Sequence, residues 1–147
     1  MHGRYKIREY EAGTNKLISV SDWIENKIVA STNYGLNLIL QNLGGDHTYL
    51  LEITQAKIGT GTNAPAESDT DLQTPVVSGI TRASQVVGVK TLTIDFFIAD
   101  ALLPNGNYNE FGLFCSNQLF ARSLISPTYT KTANKDTKIE YEITFNN

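Results

Sequence analysis

The run Ile58-Gly59-Thr60-Gly61-Thr62-Asn63-Ala64-Pro65 is the stretch of this chain whose residue types and spacing most suggest chemistry. Its G-x-G-x-x-A spacing is a variant of the dinucleotide fingerprint. Such glycines hold a pyrophosphate only where a helix follows, because the helix N-terminus supplies the N–H groups. Here Pro65 comes next, and Leu72 is the only large apolar residue between Asn63 and Thr74. No helix from that segment could pack on a sheet. No Gly-Lys-Ser/Thr ending makes a phosphate loop either. The segment predicts a strand running into a long polar loop, with no nucleotide and no other cofactor.

Other reactive side chains are weighed the same way. Glu67, Asp69 and Asp71 could gather around a cation. Calcium takes about six to eight oxygens, and a calcium loop of the hand type needs a longer D-x-D-x-D-G series. That series is absent, so solvated charge is the expected role and no metal is predicted. The chain has one cysteine, Cys115, and two histidines, His2 and His47. A thiol nucleophile needs a positioned base. His2 lies at the chain start and His47 in a predicted loop, so Cys115 reads as a small core or near-surface residue.

Glu110 stands where a turn enters an apolar strand. A carboxylate there can accept loop N–H groups or pair with Arg82 or Arg122. A structural clamp is expected and no catalytic residue is assigned. Arg122 could instead face solvent, and Gly112 suits a close backbone approach or a bulge. Trp23 is expected in the core, with an interface position as the alternative.

Length and composition bound the class. A chain of 147 residues suits one domain with its own core. Hydrophobic residues make up 41% and charged residues 18%. The second figure is below the usual value of about 25%, so Thr, Asn and Tyr are expected over much of the surface. The net charge of −3, with no Lys/Arg cluster, argues against nucleic acid as a partner. No apolar run approaches the ~20 residues of a membrane span, and the start does not read as a signal peptide, so synthesis in a cytoplasm is expected.

The elements that must hold these residues are mostly strands. Tyr5–Tyr10 alternates with Tyr5 and Ile7 inward, and Leu17–Val20 can return as a hairpin. Asn33–Gly44 reads as the one helix. Leu36, Ile39, Leu40 and Leu43 form its apolar stripe, expected to pack on the core. Thr32 or Asn33 is the expected cap, and Gly44 followed by Gly45 the left-handed stop. Strands are expected at Tyr49–Ile58, Val76–Ile80, Val86–Ala99, Tyr108–Phe114, Leu119–Leu124 and Lys138–Phe145. Short alternating strands spaced by turns predict a mainly β chain. The expected fold is an antiparallel β-sandwich, immunoglobulin-like or jelly-roll-like, with one short α-helix. It would be a single domain over residues 1–147. An N-terminal hairpin and helix (about 1–45) would pack on the sandwich (about 46–147).

A set of motifs then falls in order: Gly59, Gly61 and Pro65; Ser68-Asp69-Thr70-Asp71-Leu72; Arg82; Asn109-Glu110-Phe111-Gly112-Leu113-Phe114; and Leu119-Phe120-Ala121-Arg122. Over roughly residues 56–146 this order resembles small virion proteins of tailed bacteriophages, found at tail-tip, baseplate, collar or fibre-attachment positions. The resemblance implies a non-enzymatic structural protein of the virion that forms a homo-oligomer and docks other tail, neck or fibre proteins. Gly59, Gly61, Pro65, Asp69, Leu72, Arg82, Glu110, Gly112 and Arg122 are then its structural or interface candidates. The loop from Gly61 to Thr74 would reach a neighbouring subunit or move freely. No shaft or receptor-binding tip is expected after the sandwich, an expectation that favours a connector, collar or capsid-decoration role. A carbohydrate-binding β-sandwich module is the alternative, since seven Tyr and one Trp could supply stacking faces.

Overall fold

The computed structural model of the chain describes residues 1–146. The chain order is β1 (His2–Glu11), β2 (Leu17–Val20), β3 (Ile24–Glu25), β4 (Lys27–Ile28), α1 (Leu36–Leu43), β5 (Gln55–Gly59), β6 (Pro75–Val87), β7 (Thr91–Ile98), β8 (Gly106–Cys115), β9 (Gln118–Lys131) and β10 (Lys135–Thr144). A short 3-10 turn spans Asp100–Leu102. Among the described residues the chain is mainly β with one α-helix.

The strands form one ten-stranded antiparallel sheet in the order β2-β1-β10-β7-β6-β5-β8-β9-β4, with β3 beside β1. It curls because β6 serves two neighbours. Pro75–Thr81 pairs with β5, and Arg82–Val87 pairs with β7. The far margins are joined by one short crossing. Ile24 and Glu25 pair with β1, and Lys27 and Ile28 pair with Arg122 and Ala121 of β9. Across the same crossing the Tyr5 hydroxyl hydrogen-bonds the Ser123 hydroxyl.

Alternation decides what the curl encloses. Tyr5 and Ile7 of β1, Ile94, Phe96 and Ile98 of β7, and Ile139, Tyr141 and Ile143 of β10 all point inward and are buried. Phe111 lies 5.1 Å from Tyr5 and 6.1 Å from Phe96, centroid to centroid, so tilted and edge-on aromatic contacts tie opposite walls together. The N-terminal segment is built into the sheet, because β1 pairs with β10 from His2↔Thr144 to Glu11↔Lys135.

Several strand limits differ from the pattern-based ones. The run Val86–Ala99 is two strands, broken at Gly88-Val89-Lys90, where Lys90 takes φ 59 and Gly88 N–H donates to Thr91 O at 2.8 Å. β6 therefore runs on to Val87 and does not stop at Ile80. Tyr49–Thr54 leaves the sheet, and β5 begins only at Gln55. β9 continues past Leu124 to Lys131. A turn of two residues inside a run of β-branched side chains gives no break in periodicity, so alternation alone reads through it.

The helix differs more. Leu38 is its buried residue, whereas Leu36, Leu40 and Leu43 are exposed, Leu40 at 65% and Leu43 at 80%. Of the expected stripe only Ile39 packs against the core. The helix is two turns long, and its rotation is set by backbone ties at its start. Gly35 N–H donates to Leu119 O at 3.1 Å and Leu36 N–H to Val29 O at 2.8 Å. Gly35 sits at φ +51 against Val29 O, where a Cβ has no room. It occupies the cap position with no side-chain bond, so neither Thr32 nor Asn33 caps the helix. Asn33 N–H instead donates to Gln41 Oε1 at 2.9 Å. At the other end the left-handed residue is Gly45 (φ 91), not Gly44. Asp46 N–H reaches Gln41 O and Gly45 N–H reaches Asn42 O, the paired bonds of a Schellman stop.

Candidate functional site

The residues singled out by the sequence converge on the outer face of β8 and β9. Along β8 the alternation sends Phe111, Leu113 and Cys115 into the core. It leaves Glu110, Gly112 and Phe114 on the opposite face. That face is buried too: the 60–74 loop lies over Glu110 and Gly112, and Val29, Leu119 and Tyr34 pack on Phe114.

Glu110 is fully buried. Its Oε2 accepts Gly61 N–H at 2.8 Å and Thr74 N–H at 2.7 Å. Its Oε1 accepts Gln73 N–H at 2.8 Å and Arg122 Nε–H at 3.1 Å. The carboxylate thus gathers both ends of the loop, and the guanidinium neutralises it. Arg122, 2% exposed, spends its other donors on the same loop: Asp69 Oδ2 at 3.0 Å and Asn63 O at 2.9 Å. Glu110 and Arg122 sit diagonally across the β8–β9 ladder, since Gly112 is the residue opposite Arg122. Charge-assisted, forked bonds of this kind are the strong ones, and here they leave no carboxylate oxygen for a substrate.

The glycines follow from this geometry. A Cβ on Gly59 would run into Thr74 O, and one on Gly61 into Glu110 Oε2. The G-x-G spacing is what lets a backbone close over a carboxylate, with no phosphate required. Gly112 lies beneath Leu72, whose Cδ2 would be 2.8 Å from an added Cβ. Leu72 is buried, and the half-buried Pro65 and Asp69 complete the loop. Asp69 also accepts Ala66 N–H at 2.9 Å. Gln73 Oε1 accepts both Thr62 and Asn63 N–H, at 2.9 and 2.8 Å, a contact with no sequence signal beyond its amide type. The loop is therefore tied to its own sheet along its length and is not a free strap.

Arg82 stands apart. It lies on β6 and donates to Ile53 O at 3.1 Å and to Glu52 Oε1 at 3.0 Å. Glu110 pairs with Arg122 and not with Arg82. The acidic trio also separates. Asp71 bonds Lys57 Nζ at 3.0 Å, Asp69 bonds Arg122, and Glu67 is exposed. Among the described residues no three His, Cys, Asp or Glu side chains gather as metal ligands.

Cys115 is buried, and burial pushes its thiol up to about 12. His2 pairs with Glu25 at 2.8 Å and His47 with Asn42 at 2.9 Å, so neither serves the thiol. Trp23 is not a core residue. It is half-buried on the surface with the Arg4 guanidinium 4.0 Å and the Lys6 ammonium 4.6 Å from its ring centroid. A second ion pair, buried on its cationic side only, escapes the sequence altogether. Lys131, with a fully buried side chain, donates to Asp100 at 2.6 Å, and that bond holds the Asp100 carboxyl below the usual carboxylate range. Asp136 accepts Gly13 and Asp100 N–H beside it. The signal is weak because Lys131 ends a polar stretch that reads as solvent-facing.

The chain matches no family model, no curated protein and no solved structure.

Proposed function

We propose that this chain is a non-enzymatic structural component of a tailed-phage particle, acting as a collar, ring or connector in the tail, baseplate or neck. Copies would join as a homo-oligomer and dock other virion proteins or fibres. The two arms of the curled sheet, hinged at β6, would act as the layers of a sandwich of immunoglobulin-like or jelly-roll-like kind. The observation that carries the reading is the Glu110–Arg122 knot. Gly61, Asp69, Leu72, Glu110, Gly112 and Arg122, which carry much of the resemblance to phage virion proteins, meet there. The G-x-G turn, the S-D-x-x-L segment, the E-x-G-L-F strand and the A-R strand hold one loop rigidly against a sheet. A rigid, polar, outward-facing loop is suited to seating a neighbour, and the consumed carboxylate is unsuited to turnover. Exposed Leu40, Leu43, Leu50, Val87 and Val89 give further surface to cover.

The test is the composition and structure of purified particles. The chain should appear among their proteins by mass spectrometry and occupy a symmetric position in a cryo-EM map. Its absence from every particle whose genome encodes it would end the reading. A glycan array should stay blank; binding there would favour the adhesion module instead.

A further inference from the structure

One end of the curled sheet is left unfilled. β6 exchanges β5 for β7 between Thr81 and Arg82, and the chain before β5 steps away from the sheet over residues 49–54. The helix stands beside this end without plugging it. Leu40 and Leu43 turn outward, and of the apolar stripe only Ile39 reaches in. What remains is a pocket of about 510 Å³. Ile53, Ile94, Phe120 and Ile143, all buried core residues, line it, and the more exposed Leu51 and Val87 stand at its mouth. Folded interiors leave few such spaces, because an unfilled one forfeits contacts on every wall. Water gains little there, since an ordered water needs about two to four polar partners. Small-molecule sites span about 300–1,000 Å³ and have mostly apolar walls with a few placed polar groups.

The placed groups here are charged. Glu52, Arg82 and Lys90 are all among the lining residues. Arg82 is committed: it donates to Ile53 O at 3.1 Å and to Glu52 Oε1 at 3.0 Å, so that pair neutralises itself. Lys90 is exposed and, among the described residues, has no ion-pair partner. Its backbone is nonetheless fixed. Phe145 N–H donates to Lys90 O at 2.8 Å, and the turn that carries Lys90 is closed by Gly88 N–H donating to Thr91 O at 2.8 Å. An uncompensated cation on a fixed lip, above apolar walls, complements a hydrocarbon that ends in an anion.

We propose that this pocket binds a free, single-chain amphiphilic anion of the fatty-acid kind. Its hydrocarbon lies along Ile53, Ile94 and Phe120, and its carboxylate meets the Lys90 ammonium at the mouth. Lysine suits that place, because its stem packs on apolar surface while its head stays in water. A cationic amphiphile finds only Glu52, whose carboxylate is already shared with Arg82. A neutral alcohol gains the walls without the ion pair. The order of affinity is therefore anion, then alcohol, then cation. Occupation fills the open end of the core, so it also stabilises the fold in proportion to ligand concentration.

The inference is independent of any place in a particle. Laurate, dodecanol and dodecyltrimethylammonium, each below its micelle concentration, are titrated into the full chain and followed by amide NMR shifts. Laurate should give saturable one-to-one shifts at Ile53, Ile94 and Phe120, bind more tightly than the other two, and raise the melting temperature. Lys90→Glu, at an exposed position, should leave the circular dichroism unchanged. It should raise the laurate dissociation constant at least about tenfold, with the dodecanol value unaltered. Leu51→Trp, at a side chain 38% exposed, should block all three by filling the mouth. The proposal is overturned by laurate that gives no saturable shift, by equal binding of the cationic analogue, or by laurate binding that Lys90→Glu does not weaken. Binding to anionic vesicles with no binding of free laurate overturns it too, since the site would then be a membrane contact. A virion protein that ignores laurate would lose this inference alone.

Discussion

At the scale of residues, the Glu110 carboxylate is where stability is concentrated. It is buried among three N–H donors and one guanidinium, and removing its charge leaves Arg122 without a counterion. Glu110→Gln also turns an amide N–H₂ towards loop N–H groups. The expected cost is about 3–5 kcal/mol, the usual price of breaking a buried pair from one side, read as a lower urea midpoint at unchanged slope. The need for such partners is legible in the sequence, since a charge within an apolar run must be paired. Which arginine supplies the pairing is not, because Arg82 and Arg122 are both flanked by strand residues. Trp23 is misread for another reason. Its bulk argues for burial, but Arg4 and Lys6 alternate onto the outer face of β1 and hold the ring there.

At the scale of elements, the loop and the helix make opposite cases. Gly61→Ala places a methyl against Glu110 Oε2, so the 60–74 loop must lift from its sheet. Faster proteolysis within residues 62–73 is expected, with the core strands still protected from hydrogen exchange. The helix should be tolerant where its pattern says otherwise. Leu43→Glu alters an 80% exposed side chain and should move the stability of the isolated chain by no more than about 0.5 kcal/mol in a thermal melt. A Leu at a core position would cost roughly 2–5 kcal/mol on truncation, so the two readings of the stripe are far apart. Periodicity located the helix but could not orient it. Orientation comes from Gly35, Val29 and Leu119, which are joined by backbone bonds that carry no side-chain signature.

At the scale of the whole molecule, burial of phenols sets the alkaline limit. Tyr5, Tyr129 and Tyr141 are raised by desolvation, Tyr129 to about 12, and the Cys115 thiol to the same level. In the unfolded chain these groups ionise near their ordinary values, about 10 for Tyr and 8.5 for Cys. The unfolded state therefore binds fewer protons at high pH, and stability falls as pH rises. It is fully present below about pH 8.5 and is lost progressively towards pH 12. The phenolate absorbance of Tyr5, Tyr129 and Tyr141 should appear in one cooperative step with loss of the circular dichroism signal; a gradual titration of these three while the fold persists would contradict their burial. The mainly β, antiparallel character with one helix was legible from alternation and turn spacing. The path of the sheet was not, because pairing partners such as His2 and Thr144 are set by closure of the curl and not by any local pattern.

That pairing of β1 with β10 has a consequence for how the protein comes into being. The first strand leaves the ribosome with its apolar face made and no mate to hide it. The mate, Lys135–Thr144, follows only after more than a hundred further residues. Until then the nascent polypeptide has to keep Tyr5 and Ile7 from sticking elsewhere, which makes it a natural client for a chaperone and slow to reach its native form.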